Sequence, residues 1–129
     1  MTSKNHLFLL LFILVSTFAF SQNKISIDGV WEDDNSGVKN AVAIFSEQED
    51  HQILFTHYLE WNGQKFVESG IGLRDGNTIS YTVKVTTQIE GWATEGTHVL
   101  VLSEDGQTLK GTYSDNKNRH GEIAFKKVR

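Results

Sequence analysis

Thr78-Ile79-Ser80-Tyr81-Thr82-Val83-Lys84-Val85-Thr86-Thr87-Gln88-Ile89 alternates without a break. Ile79, Tyr81, Val83, Val85, Thr87 and Ile89 fall on one face, and Thr78, Ser80, Thr82, Lys84, Thr86 and Gln88 on the other. A period of two is that of a half-buried strand, in which successive side chains point to opposite sides of a sheet. The same rhythm continues on either side. In His51 to Trp61, Ile53, Phe55, His57, Leu59 and Trp61 share a face, and Asn62-Gly63 then supplies a two-residue hairpin turn into Gln64 to Ile71. Asp75-Gly76-Asn77 turns the chain into the long strand, and Glu104-Asp105-Gly106 ends another strand over Thr97 to Ser103. Gln107 to Ser114 and Gly121 to Val128 complete the series, with the polar turn Asp115 to Asn118 between them. Val30 to Asp33 and Ala41 to Ser46 precede it.

This makes about eight strands with short connections, and no segment that must be a helix. Val38 to Gln48 can be drawn as a helix, but Val42, Ile44 and Phe45 suit a strand equally. The chain has no proline, so nothing interrupts a long hydrogen-bonded ladder. Neighbouring strands joined by tight turns predict an all-β fold, a single-domain antiparallel up-and-down β-barrel that closes on itself and removes its edges.

The first residues read differently. Leu7 to Phe20 is apolar apart from Ser16 and Thr17, Lys4 precedes it, and Ala19 and Ser21 are small. The run is shorter than the roughly 20 residues of a spanning helix and fits a secretory signal peptide over residues 1–21, with an uncleaved anchor as the alternative. A barrel domain over 22–129 follows, with its first residues, Gln22 to Lys24, loose. Localisation is then secreted or periplasmic, in a style that reads as bacterial. The absence of cysteine excludes both disulfides and a lipid-anchored cysteine, so stability rests on the packed core and the ladder. The net charge of −4 disfavours nucleic acid and anionic membranes as partners.

Gly29-Val30-Trp31 opens the first strand and resembles the Gly-x-Trp signature of the calycin group, which includes lipocalins and avidins. Leu109-Lys110-Gly111-Thr112-Tyr113 is similar to an avidin-type strand, where glycine admits close neighbours or a ligand. The resemblance implies a barrel with a possible cavity. It also implies that Trp31 closes one end, with a basic residue of the last strand, Lys127 or Arg129, across its ring. The Gly-Thr-Tyr segment lies on the penultimate strand rather than the second, and the chain is shorter than a lipocalin and lacks its terminal helix. No ligand-contacting residue is therefore carried over.

The residues themselves offer His57 on an otherwise apolar face: a polar group in a binding cavity, an acid or base near neutrality, or a core histidine satisfied by backbone or by Tyr81. His51, His98 and His120 lack zinc-motif spacing, so no metal is expected. Glu32-Asp33-Asp34-Asn35 reads as a solvated charged loop rather than a calcium loop. No nucleophile motif, catalytic triad or cofactor is implied, and a carboxylate pair drawn from Glu60, Glu68 and Glu90 is arbitrary without geometry. Trp31, Trp61 and Trp92 sit near strand ends, where rings stack on a sugar, line an apolar pocket or plug the barrel. The leading expectation is a non-catalytic binding module for a small apolar or carbohydrate-like ligand, held by His57, Tyr81, Trp92 and Tyr113. The alternatives are a solid-core interaction domain using a barrel face or an edge strand, and a hydrolase or isomerase using His57 and a carboxylate.

Overall fold

The computed structural model describes residues 24–129. The leader over 1–21 lies outside the described residues. Eight strands follow in order: β1 (Gly29–Asp33), β2 (Lys39–Glu47), β3 (Gln52–Trp61), β4 (Gln64–Asp75), β5 (Thr78–Val85), β6 (Glu95–Leu102), β7 (Thr108–Asp115) and β8 (His120–Lys127). Each pairs antiparallel with the next, and β1 pairs with β8, so the sheet is a closed up-and-down barrel. This is the predicted class. It is consistent with a calycin-like architecture.

The alternation does what a half-buried wall requires. Ile53, Phe55, His57 and Leu59 of β3 and Ile79, Tyr81 and Val83 of β5 point inward and are buried. The Asn62-Gly63 turn has φ of 50° and 78°, the left-handed pair that matches strand twist in a two-residue hairpin. It sets Trp61 opposite Gln64 and, counting back along both strands, His57 opposite Glu68.

Most strand boundaries fall within two residues of the sequence reading, and two differ by four. β4 continues to Asp75, and β5 ends at Val85 rather than Ile89. The chain leaves the ladder there and folds over the barrel mouth, where Ile89 and Ala93 are buried and Ile89 joins a cluster with Ala41, Leu59 and Phe66. Ile89 thus keeps the inward parity of the alternating run without being in a strand.

The barrel has unlike ends. At one, Ile27, Trp31, Phe45, Ile53, Leu102, Leu109 and Phe125 fill the interior. Trp31 has no exposed surface, donates its indole N–H to the Ile27 carbonyl at 2.9 Å, and lies edge-on to Phe45 at 5.9 Å. Lys127 Nζ is 5.5 Å from its ring centroid, a cation–π contact worth about 0.5–1 kcal/mol. Arg129 contributes differently: its backbone carbonyl accepts from Val30 N–H at 2.8 Å. That carbonyl runs so close to Gly29, whose φ is 142°, that a β-carbon there would overlap it. Arg74 ties the same end together, bonding the carbonyls of Ile25 and Gly76 and the Glu47 carboxylate. Lys24, expected to be loose, is held by Glu47.

Closure removes the edge-strand form of the interaction alternative and leaves the barrel-face form. β5 is paired on both sides, so its threonine-rich outer face cannot accept an added strand. The outer wall itself is uneven. Val42, Ile44, Leu54, Val67, Ile71 and Leu73 are exposed on β2 to β4, whereas Glu32, Lys110, Glu122 and Lys126 stand on β1, β7 and β8.

Gly111 admits a close neighbour, but that neighbour is protein. A β-carbon there would overlap the Val99 carbonyl of β6. Gly111→Ala is expected to push β6 and β7 apart at a cost of about 1–3 kcal/mol. Urea unfolding monitored by circular dichroism checks this, and a variant as stable as the parent would contradict it.

Candidate functional site

The opposite end is open. A cavity of about 220 Å³ is lined by the last residues of β1, β3, β5 and β7, the first residues of β4, β6 and β8, and the loops between them. The interior is therefore neither plugged throughout nor hollow throughout, because large side chains fill one end only.

His57 forms part of the cavity wall, with its side chain 3% exposed. Its Nδ1 lies 3.0 Å from Glu68 Oε1, a hydrogen bond across the β3–β4 ladder. Its Nε2 lies 3.2 Å from Asp33 Oδ2 on β1. That second contact is close enough for an ion pair but is out of line for a hydrogen bond, so Nε2 is buried without a hydrogen-bond partner. The two atoms stand side by side rather than head-on. Burial disfavours a charged His57, but the Asp33 and Glu68 carboxylates beside its two ring nitrogens outweigh it and raise its pKa above the ordinary histidine value.

The second buried histidine behaves oppositely. His98 Nδ1 is 2.9 Å from the Tyr81 hydroxyl. Burial lowers its pKa to about 4, so the ring is neutral near pH 7. Burial, with the charges of Glu68 and Asp33, pushes the Tyr81 phenol well above its usual value. Two neutral groups therefore share a single hydrogen bond between Nδ1 and the phenol oxygen.

At the mouth, Trp92 packs on Trp61 at 5.2 Å and on Phe66 at 5.3 Å. The Arg119 guanidinium lies 5.5 Å from the Trp92 ring centroid and pairs with Asp115 at 2.9 Å.

Of the residues expected to bind ligand, His57, Trp92 and Tyr113 come together on the cavity wall. Tyr81 stands behind it, buried, and reaches the cavity only through His98. His57 has its Nδ1 bonded to Glu68 and its Nε2 beside Asp33, and is not held by backbone or by Tyr81. Asp33 is no solvated loop residue: its side chain is 3% exposed. It lies two residues after Trp31 on the same strand, and that parity was the signal for an inward position. Glu68 shares inward parity with Phe66 and Gly70. His51, His98 and His120 are not brought together. His51 lies in the turn before β3 on the closed side, His98 inside on β6, and His120 exposed at the start of β8. Among the described residues, no group of three or more His, Cys, Asp or Glu is placed to hold a metal ion.

Chemically, an imidazole between two carboxylates in a cavity wall can hold or pass a proton and can present both donor and acceptor atoms to a guest. No protein-family model matches the chain, and no curated protein matches it.

The two histidines give opposite pH dependences. His57, raised in the folded state, contributes stability that is complete below its unfolded pKa of about 6.5 and is lost as pH rises through the raised value. His98, lowered to about 4, contributes stability present above about 6.5 and lost as pH falls toward 4. Together they place a stability maximum near pH 6.5, with an acid limb from His98 of about 3 kcal/mol. Urea unfolding across pH checks this. His98→Phe should flatten the acid limb relative to the parent, and an unchanged limb would refute the assignment.

Proposed function

We propose that this chain is an exported calycin-type barrel that binds a small ligand in the cavity at its open end and performs no chemistry on it. The observation that carries this reading is that His57, a residue of the cavity wall, has its Nε2 buried with no hydrogen-bond partner. A buried polar atom left unpaired costs about 1–3 kcal/mol, a cost that a guest filling the cavity removes. The setting supports it. Polar groups from several strands alternate with apolar ones around a preformed concavity, and an aromatic pair frames the mouth. The cavity is small against the usual range of ligand pockets, so the guest is small. Membership among lipocalin- or avidin-like proteins belongs to the same proposal, supported by Trp31 at the closed end beneath Lys127. So does action in the periplasm or outside the cell, which rests on the leader.

The test is a screen of small soluble fragments followed in 1H–15N spectra of residues 22–129. Amides of residues 57, 68, 92, 98 and 113 are expected to shift, while those around Trp31 stay still. Spectra in which no fragment perturbs the open end would overturn the proposal.

The 3.0 Å hydrogen bond between His57 and Glu68 inside the cavity favours a second reading, acid–base catalysis of an isomerisation or hydrolysis. It predicts turnover of a bound guest that His57→Gln abolishes while binding persists.

A further inference from the structure

We propose that the cavity is selective for a small organic cation, whose ammonium group takes the place of the His57 Nε2 proton between Nε2 and Asp33 Oδ2. This rests on the reading of the open end as a ligand site and names the chemical class of guest.

Three observations carry it. The first is geometry. Nε2 and Oδ2 are 3.2 Å apart, but the imidazole is not aimed at the carboxylate. A proton on Nε2 is out of line with Oδ2; once it leaves, the two atoms are adjacent acceptors that one donor group can share. The Nδ1–H bond to Glu68 holds the other face of the ring, so the Nε2 lone pair is free for a donor once its proton leaves.

The second is charge. The charged groups of the cavity lining are Asp33, Glu68, Glu95 and Asp115 against His57 and Arg119, with His98 neutral and no lysine. Arg119 is spent on Asp115 at 2.9 Å. Deep in the cavity two carboxylates face a single imidazole, an arrangement that repels an anion and attracts a cation more strongly than the same charges would in water.

The third is the mouth. Trp61 and Trp92 give it an indole wall, and Arg119 already lies against the Trp92 ring. Such faces hold organic cations through their ring quadrupoles.

A proton linkage follows. The groups around His57 are Asp33 from β1, Glu68 from β4, Tyr81 from β5 and His98 from β6. The ring also meets Phe55 of β3 and Phe125 of β8, and its ladder neighbour on β2 is Ala43; none of these carries charge. Tyr81 and His98 stay neutral near pH 7, so the proton that leaves is the one on His57, released to solvent as the ammonium enters. Binding therefore tightens as pH rises, by about tenfold per unit below the His57 pKa, and levels off above it.

The experiment compares three probes of one size and shape: benzylamine, benzyl alcohol and benzoate. Isothermal titration on residues 22–129, in two buffers of different ionisation enthalpy, reads affinity and proton release together. Expected results are benzylamine at least about tenfold tighter than benzyl alcohol, benzoate undetected, and close to one proton released per benzylamine at a pH below the His57 pKa. Asp33→Asn should bring benzylamine and benzyl alcohol to within about twofold of each other. The pH linkage of the unmodified chain tests the proposal even if that variant does not fold. Benzyl alcohol binding as tightly as benzylamine, or benzylamine binding without proton release, overturns the cation proposal and leaves the ligand site standing. Absence of binding by all three probes and by the fragment screen overturns both.

Discussion

His57→Leu is expected to lower the unfolding free energy by about 3–5 kcal/mol at neutral pH. The substitution supplies apolar volume but removes the only cation between Asp33 and Glu68, whose side chains are 3% and 8% exposed. Two buried carboxylates then face each other without a counter-charge, and breaking a buried pair from one side is the costly direction. A triple variant, Asp33→Val with His57→Leu and Glu68→Leu, should recover much of the loss, because replacing a whole buried ionic cluster by apolar groups is often neutral or stabilising. Recovery would mean that the cluster is kept at the expense of stability, as a ligand site is. Denaturant unfolding of the three proteins at neutral pH checks the argument, and a His57→Leu protein as stable as its parent would contradict it.

Trp31→Ala should cost about as much, 3–5 kcal/mol, for a different reason. The indole fills the closed end with no exposed surface, packs against Phe45, and bonds the Ile27 carbonyl. Its removal opens a cavity that rigid barrel walls cannot collapse, and leaves the Ile27 carbonyl without its partner. The open end should keep its structure, so fragment-induced shifts at Trp92 and His98 should persist in the folded fraction. Calorimetric and circular dichroism melting give the first quantity and amide spectra the second. A loss below about 1 kcal/mol would show that Trp31 does not seal the barrel.

The two sites differ in how far the sequence discloses them. Trp31 is visible in its Gly-x-Trp context, with either Lys127 or Arg129 expected across its ring and Lys127 found there. The His57 site was half visible. Asn62-Gly63 is a two-residue turn, and a two-residue turn fixes register, so Glu68 opposite His57 follows by counting. Without that register, Glu68 is one of three interchangeable carboxylates beside Glu60 and Glu90. Asp33 was assigned to a solvated loop on the strength of its acidic neighbours, although its parity with Trp31 pointed inward. The end of β5 misled in the other direction. Alternation continued through Ile89, but burial there comes from a loop that folds over the mouth.

Local chemistry, then, set the strands, their inward faces and the pairing within each tight hairpin, because side-chain parity and turn geometry act between residues close along the chain. What only closure decided is which distant strands look at each other across the lumen. Asp33 on β1 reaches His57 on β3, and a nine-residue loop leaves the Tyr81–His98 register to be set by packing. The unlike ends, one filled by Trp31 and Phe45 and one left open above His57, likewise arise when eight faces of unequal bulk are wrapped around a single axis.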